Sequence, residues 1–420
     1  MSQFIRGAPR LHQHLIEQII FTMHKIMVEG VHADKAIEQS FKHHPKWGAR
    51  DRRMFAESVY DMVRWWRLLW HLAAMPEKDY LNPDALEEGN LWRIWSVYWL
   101  SKGNTLPSWD ECRGMRMNKK ESSNPAIEAS VPDWMYQRGE AELGREWAPL
   151  MDALNQPADV FLRVNTLKYK SRDLQIKLGV EGCKTQTVPN VPDAIRLLER
   201  RNVFTTDEFK NGYFEVQDAG SQIIAPFLQV EPGMRVIDAC AGAGGKTLHL
   251  AVLMQNKGRI IAMDVHDWKL KELRKRASRN GADTIETKVI EGAQTIKRLV
   301  GTADRVLLDV PCSGLGVLRR NPDAKWKLKP AELDRLIALQ AEILRSHSRM
   351  VKPGGKLVYA TCSVLPSENE KQIQSFLADH GNEWTLDNQI HIRPNKEGFE
   401  GFDGFYAARL IRKATDPAEA

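Results

Sequence analysis

Two thiols, three carboxylates and one glycine-rich stretch recur at regular intervals through the second half of this 420-residue chain. The glycine stretch is Asp238-Ala-Cys-Ala-Gly-Ala-Gly-Gly-Lys-Thr247, the carboxylates are Asp264, Glu291 and Asp309, and the thiols are Cys312 and Cys362. Gly242, Gly244 and Gly245 let backbone amides approach a ligand closely, because no Cβ intervenes. A carboxylate about twenty residues beyond such a turn can accept hydrogen bonds from the ribose hydroxyls of a nucleoside. A thiol can form and break a covalent bond to a substrate, but only as its thiolate. A free thiol has a pKa near ~8.5, so the site has to help it ionise.

The glycine stretch has competing readings. A P-loop requires a further glycine ahead of Gly245-Lys-Thr247, at the position where Cys240 stands, so a phosphate cradle is disfavoured. A dinucleotide fingerprint starting at Gly242 requires glycine where Thr247 stands, which disfavours NAD. A nucleoside-bearing cofactor such as S-adenosylmethionine remains.

The elements that position these residues alternate regularly. Apolar runs predict strands at Arg235–Asp238, Arg259–Asp264, Thr287–Glu291, Arg305–Asp309 and Lys356–Ala360. Between them, helices are expected at Lys246–Met254, Trp268–Asn280, Ala293–Val300 and Ala331–Met350. Lys352-Pro-Gly-Gly355 reads as a sharp turn into the fifth strand, and Trp384–Leu386 with Gly404–Ile411 as a closing antiparallel pair. Such alternation is the signature of a parallel α/β sheet, whose ligands bind outside the carboxyl ends of the strands. The glycine turn, Asp264, Glu291, Asp309-Val-Pro-Cys312 and Thr361-Cys-Ser363 all fall at those ends. A single acidic residue there is often only a helix cap, and a single cysteine only a small buried hydrophobe. Carboxylates in register with a glycine turn, and two cysteines on neighbouring loops, favour a site.

Methylation of carbon 5 of a pyrimidine calls for such a set. That carbon is a poor nucleophile until a thiolate adds to carbon 6 and turns the ring into an enamine, which divides one hard step into easier ones. A second group must then remove the carbon 5 proton so that the thiol can leave. Asp309 is placed either to donate a hydrogen bond to N3 in its protonated form or to bind the exocyclic amine as a carboxylate. Spacing alone leaves open which cysteine does which.

The amino-terminal third reads as helical. Leu11 to Met27 carries apolar residues at helical spacing, with Gly30 as its stop. Asp51 is expected to cap a helix whose buried face is Phe55, Val59, Met62, Trp66 and Leu69. The tryptophans Trp65, Trp66, Trp70, Trp92 and Trp95 are read as bundle core in preference to base-stacking platforms. Lys42, Lys46, Arg50, Arg52, Arg53, Arg113, Arg116, Lys119 and Lys120 punctuate this region, and such runs are usually solvated faces. Lys119 to Pro125 is a polar linker candidate. Pro132 to Leu154 is expected to be helical. A small mixed block follows, with strands at Val160–Val164, Ala194–Leu198 and Tyr213–Val216 and a helix at Ser171–Leu178; it reads as a bridge covering one side of the sheet.

Composition sets bounds. A hydrophobic fraction of 43% suffices for a packed core, and a net charge of +6 is compatible with nucleic acid without requiring it. The five cysteines are scattered and lack metal-ligand spacing, so neither a disulfide framework nor a metal site is expected, and a reducing cytoplasm follows. No secretory signal is seen. The most apolar segment, Val63 to Met75, is interrupted by Arg64, Arg67 and His71, so no membrane span is expected.

The combination Asp238-Ala-Cys-Ala-Gly-Ala-Gly-Gly-Lys-Thr247, Asp309-Val-Pro-Cys-Ser-Gly-Leu-Gly316 and Thr361-Cys-Ser363 resembles the RNA 5-methylcytosine methyltransferases of the Sun/Fmu (RsmB-like) family. Arg163-Val-Asn165, Gln217-Asp-Ala-Gly-Ser-Gln222, Arg319-Arg-Asn-Pro-Asp323 with Trp326, and Asp403-Gly-Phe405 match as well. The resemblance covers at least residues 130 to 412. The first sixty or so residues look, more weakly, like the helical NusB-type RNA-binding domain of some members. It implies a Rossmann-like class I methyltransferase sheet at 229–413, a bridging helical and small α+β subdomain at 126–228, a helical NusB-like domain at 1–125 and a disordered tail at 414–420. It further implies S-adenosylmethionine bound by Cys240, Ala241, Gly242, Ala243, Gly244, Gly245, Lys246, Asp264, Glu291 and Asp309. Cys362 would be the nucleophile on carbon 6, and Cys312 the thiol that assists product release. Two departures stand out: Ala243 replaces a usual proline, and Glu291 a usual aspartate. The implied substrate is RNA, ribosomal before transfer RNA, and a monomer is expected. The competing class is a non-catalytic RNA-binding or ribosome-assembly factor that retains the fold, against which the intact cysteine pair argues. Amino-group methylation would require an Asn/Asp-Pro-Pro-aromatic loop where Asp-Val-Pro-Cys312 stands.

Overall fold

A computed structural model describes residues 11–118 and 121–414. Lys119 and Lys120 of the expected linker, and residues 415–420 of the expected tail, lie outside the described residues. The described residues divide into two compact units, those up to 155 with 318–330, and those of 156–317 with those from 331 on.

The first unit is helical. Its main helices are Gln13–Met27, Ala33–His43, Ala49–Arg64, Trp66–Leu72, Glu88–Ser101, Asp133–Leu143 and Trp147–Leu154. Ile16, Ile19, Met23 and Ile26 recur every three or four residues along the first helix and are all buried, as an amphipathic stripe requires. Trp66, Trp70 and Trp95 are fully buried in the same core. Two of them also satisfy their indole N–H, Trp66 on the Tyr80 carbonyl (2.7 Å) and Trp70 on the Pro76 carbonyl (2.9 Å). The core reading of these tryptophans therefore holds.

Three details differ from expectation. Gly48, not Asp51, precedes the third helix, and Asp51 lies inside its first turn, where a carboxylate still complements the helix dipole. The face from Phe55 to Leu69 is shared by two helices, because Trp65 leaves helical geometry between them. Residues 132–154 likewise form two helices, broken where Gly144 adopts a φ of 54°.

Residues 318–330 depart from the sheet half of the chain and pack into this helical unit. Lys325 is fully buried and donates from Nζ to the Arg64 carbonyl (3.0 Å), the Ser130 carbonyl (3.2 Å) and Asn155 Oδ1 (2.5 Å). Trp326 Nε1 donates to the Val63 carbonyl (2.7 Å), and Arg64 Nη2 to the Arg319 carbonyl (3.0 Å). Burial pushes the Lys325 amine well below its usual pKa.

In the second unit a small antiparallel sheet has the order β2-β3-β1-β4, from β1 (Val160–Val164), β2 (Thr185–Thr187), β3 (Ala194–Leu197) and β4 (Phe214–Val216). Helix Ser171–Val180 packs Leu174 and Leu178 against Leu162, Ile195 and Phe214 of this sheet.

The main sheet has seven strands in the order β10-β11-β9-β8-β5-β6-β7. They are β5 (Arg235–Asp238), β6 (Arg259–Asp264), β7 (Ile285–Val289), β8 (Ala303–Asp309), β9 (Val351–Thr361), β10 (Trp384–Ile392) and β11 (Phe405–Arg412). β5 to β9 pair in parallel, while β11 runs antiparallel to both β9 and β10. The chain leaves β5 toward β7 and returns to β8 on its other side, so the switch point lies at the carboxyl ends of β5 and β8. This is the Rossmann-like α/β sheet expected.

Its details shift in places. β7 ends two residues earlier than expected, which leaves Glu291 beyond the strand. Lys352–Gly355 lies within β9 as a bulge: Ala303 pairs with Val351, yet Arg305 pairs with Lys356. β10 continues to Ile392, and the helix expected over 293–300 ends at Lys297. The helix expected over 331–350 runs from Pro330 to His347 and tightens into a 3₁₀ turn.

The three carbonyl or amide acceptors around Lys325 lose their donor in Lys325→Ala. That variant should lower unfolding stability by about 2–4 kcal/mol, read as an earlier transition of the helical unit in thermal or urea unfolding.

Candidate active site

The glycine turn begins where β5 ends. Asp238 is buried and its Oδ2 accepts from Thr247 Oγ1 (2.7 Å), which ties the strand to the first turn of helix Gly245–Leu253. The Ala241 amide donates to the Met263 carbonyl of β6 (2.8 Å). Gly242 (φ 54°) and Gly244 (φ 88°) adopt conformations that side chains disfavour, and a Cβ on Gly244 would lie 1.8 Å from Leu273 Cδ1. The space in front of Gly242 is open, so the turn leaves room for a ligand. Asp264, ending β6, accepts from the Gly242 amide (3.0 Å) and the His266 amide (2.8 Å). Glu291 is exposed at the same edge, next to Ile290, whose amide donates to the Asp264 carbonyl (3.0 Å).

Cys240 lies in the turn, and burial first, then Asp238, Asp309 and Asp264, pushes its thiol well above the ordinary pKa. That suits a residue contributing backbone rather than a nucleophile.

Parallel pairing of β8 and β9 brings the two remaining thiols together. Asp309 stands opposite Ala360, so the loops that follow carry Cys312 and Cys362 side by side, with their Sγ atoms 3.2 Å apart. Hydrogen bonding to Cys362 and burial raise the Cys312 thiol well above its ordinary value. Lys246 Nζ donates to Asp309 Oδ2 (2.6 Å) and lies 5.4 Å from the centre of the Phe405 ring. Burial pulls the Lys246 pKa down, but the charge and hydrogen bond of Asp309 more than offset this, and the Cys362 thiol adds to the rise. Lys246 therefore stays a cation paired with the Asp309 carboxylate.

The two loops interlock through backbone. The Gly316 amide donates to the Cys362 carbonyl (2.9 Å), and the Gly404 amide to the Gly316 carbonyl (2.7 Å). A Cβ on Gly316 would lie 2.1 Å from the Gly404 oxygen and 2.7 Å from the Cys362 oxygen, so only glycine fits.

The turn is also braced from the small sheet, through residues given no role from sequence. Arg163 of β1 is buried and donates to the Gly245 carbonyl (2.5 Å) and to Gln217. Arg276 donates to the Ala243 carbonyl (2.7 Å) and to Glu215 of β4 (2.9 Å), a buried carboxylate that also binds Arg279 and Asn280. Burial raises the Glu215 carboxyl, yet Arg276 and its other partners outweigh this and hold it below the usual range. The motif Arg163-Val-Asn165 flagged one end of this brace; nothing in sequence tied Glu215 to it.

Two consequences can be measured. Gly316→Ala should lower activity by roughly tenfold or more and lower the thermal midpoint with it, because rigid backbone on both sides cannot yield. Burial pushes the Asp238 carboxyl up to about 7, against the bond from Thr247. The folded state then binds more protons than an unfolded carboxyl near ~3.9, so this group lowers stability as pH rises from about 4 to about 7 and not further above. In urea unfolding, Asp238→Asn should gain on the parent as pH rises from about 5 to about 7; a pH-independent difference would contradict the buried, protonating carboxyl.

Comparison with known proteins agrees with this geometry. Residues 225–411 match the sequence profile described as 16S rRNA methyltransferase RsmB/F, and residues 131–204 the ferredoxin-like domain of RsmF/B-like methyltransferases. A probable ribosomal RNA small subunit methyltransferase B of Synechocystis is 38% identical over 286 residues, covering 66% of this chain and 64% of that one. The matched region thus spans just under two thirds of that relative. A probable ribosomal RNA small subunit methyltransferase B from Bacillus subtilis is 32% identical over 306 residues, 69% of this chain and 68% of that one. Among solved structures, PH0851 superimposes with a TM-score of 0.79 at 27% identity, covering 96% of this chain and all of that one. A methyltransferase homologue from Pyrococcus horikoshii gives 0.61 at 27% identity, covering 69% of this chain and 97% of that one. With its glycine turn, interlocked thiol loops and Bacillus-type relative, the chain belongs to the RsmB/RsmF family of 16S rRNA methyltransferases.

Proposed function

We propose that this protein methylates carbon 5 of a cytosine in RNA, with S-adenosylmethionine as methyl donor and a covalent cysteine adduct at carbon 6. The observation that carries the reading is the pair of thiols at 3.2 Å beside the Lys246–Asp309 ion pair, at the switch point of the sheet. Binding alone needs no such pair.

The site fits the cofactor. Backbone of residues 240–245 leaves open space at Gly242, and the Asp264 carboxylate faces that turn, as a ribose-binding acid should. Glu291 would reach the nucleoside from the neighbouring edge, and Asp309 would border its reactive end. Bound there, S-adenosylmethionine supplies an electrophilic methyl group.

The protein's own residues do the rest. Cys362, near the Lys246 cation, attacks carbon 6 as its thiolate, and the ring electrons move to carbon 5. Asp309, already hydrogen-bonded to Lys246, binds the edge of the base at the exocyclic amine or N3. After methylation, Cys312, having first lost its own proton to solvent, takes the carbon 5 proton as a thiolate, and the electrons of that C–H bond expel Cys362 from carbon 6. A thiolate whose conjugate acid is weak suits this last role, since it binds a proton strongly.

Ribosomal RNA of the small subunit is the substrate class the relatives' names support, ahead of transfer RNA. We place the protein in the cytoplasm, acting as a monomer. Among the described residues no helix is long and apolar enough to cross a membrane.

Cys362→Ala should abolish methyl transfer, whereas Cys312→Ala should accumulate an RNA–protein adduct that survives denaturing gels. Normal turnover in Cys312→Ala without adduct would overturn the assigned roles. Bisulfite sequencing of RNA from cells with and without the gene should reveal one protected cytosine that depends on it.

A further inference from the structure

Glu368 lies under both thiol loops, fully buried, yet it is no part of the chemistry above. Its Oε1 accepts from the Ser313 amide (2.8 Å) and from Gln340 Nε2 (2.9 Å). Its Oε2 accepts from the Ser313 hydroxyl (2.5 Å) and from the Ser363 hydroxyl. Ser313 follows Cys312 and Ser363 follows Cys362 in the chain. One carboxylate thus holds the residue after each reacting thiol, and the two serine hydroxyls also lie 3.3 Å apart.

The anchor itself is fixed. The Tyr359 hydroxyl donates to the Glu368 carbonyl (2.6 Å), and Gln340 donates from the same Nε2 to the Pro311 carbonyl (3.0 Å) on the Cys312 loop. A buried carboxylate needs its charge satisfied, and four donors on two oxygens do so. Packing alone would be served by an apolar side chain of the same volume, without a buried charge.

We propose that Glu368 is a positioning residue for methyl transfer: by binding Ser313 and Ser363 together it fixes the distance and direction of the Cys312 and Cys362 thiols relative to one another. The reaction requires one thiol to reach carbon 6 and the other the proton on carbon 5 of the same ring. Free rotation of either loop would separate the two steps. The Glu368 charge also adds, after the contact with Cys362 and burial, to what makes the Cys312 thiol hard to ionise.

This inference rests on the reading of Cys312 and Cys362 as the reacting thiols, so Cys362→Ala is measured alongside. Glu368→Gln keeps the shape and leaves an oxygen for the Ser313 and Gln340 donors, while its amide faces two hydroxyls that can turn to accept. It should lower kcat roughly 10- to 100-fold, with KM for RNA and the affinity for S-adenosylmethionine within about twofold of the parent. Adding Ser313→Ala should cost much less activity in Glu368→Gln than in the parent, because both act through one contact. A wild-type kcat in Glu368→Gln, beside an inactive Cys362→Ala, overturns the role of Glu368 alone. An active Cys362→Ala overturns the function instead. Should Glu368→Gln fail to fold, Ser313→Ala and Ser363→Ala decide: lowered kcat at unchanged KM supports the proposal, and parental kcat in both overturns it.

Discussion

The parallel pairing of β8 with β9 is the constraint on which the site depends. It places Asp309 opposite Ala360, so that two thiols fifty residues apart in sequence emerge on adjacent loops with their sulfur atoms 3.2 Å apart. Backbone then locks the loops: Gly316 bonds to both the Cys362 carbonyl and the Gly404 amide, with no room for a Cβ. The register of one strand pair, set by buried Val306, Leu307, Leu308, Leu357 and Val358, thereby fixes a reaction geometry.

Around that pair the fold distributes charge unevenly. The hydrogen bond to Cys362 and then burial make Cys312 hard to ionise, and Lys246 is itself held by Asp309. Two chemically identical side chains thus sit in different surroundings. Cys240, the third cysteine at this edge, is removed from competition by burial among three carboxylates. The cofactor turn is steadied separately, by Arg163 of the small sheet and by Arg276 of helix Asp267–Asn280, the latter held by Glu215 of that sheet.

Much of this was legible in the sequence because the residues concerned are short-range signals. β5, β6 and β8 are apolar runs ending in aspartate, and the glycine turn announces itself by composition. β7 was placed two residues late because it is a half-exposed edge strand in which only Ile285 and Val289 are apolar. The bulge at Lys352–Gly355 looked like a turn because Pro-Gly-Gly suits both. What stayed hidden depends on long-range burial. Lys325 belongs to the helical unit through acceptors 261 and 195 residues away, and one of the three lysines in Lys325-Trp-Lys-Leu-Lys329 gives no sign of that. Glu368, within Ser367-Glu-Asn-Glu370, reads as part of a solvated run, although it is the most buried carboxylate at the site.

The central claim is that two thiols divide one methyl transfer between them. Its most direct test uses a small-subunit ribosomal RNA transcript carrying 5-fluorocytidine, whose carbon 5 fluorine cannot leave as a proton. After incubation with the protein and S-adenosylmethionine, mass spectrometry of the protease digest should find a methylated fluorocytidine attached to Cys362, with Cys312 unmodified. An adduct on Cys312, or no adduct while ordinary RNA is methylated, would contradict the account.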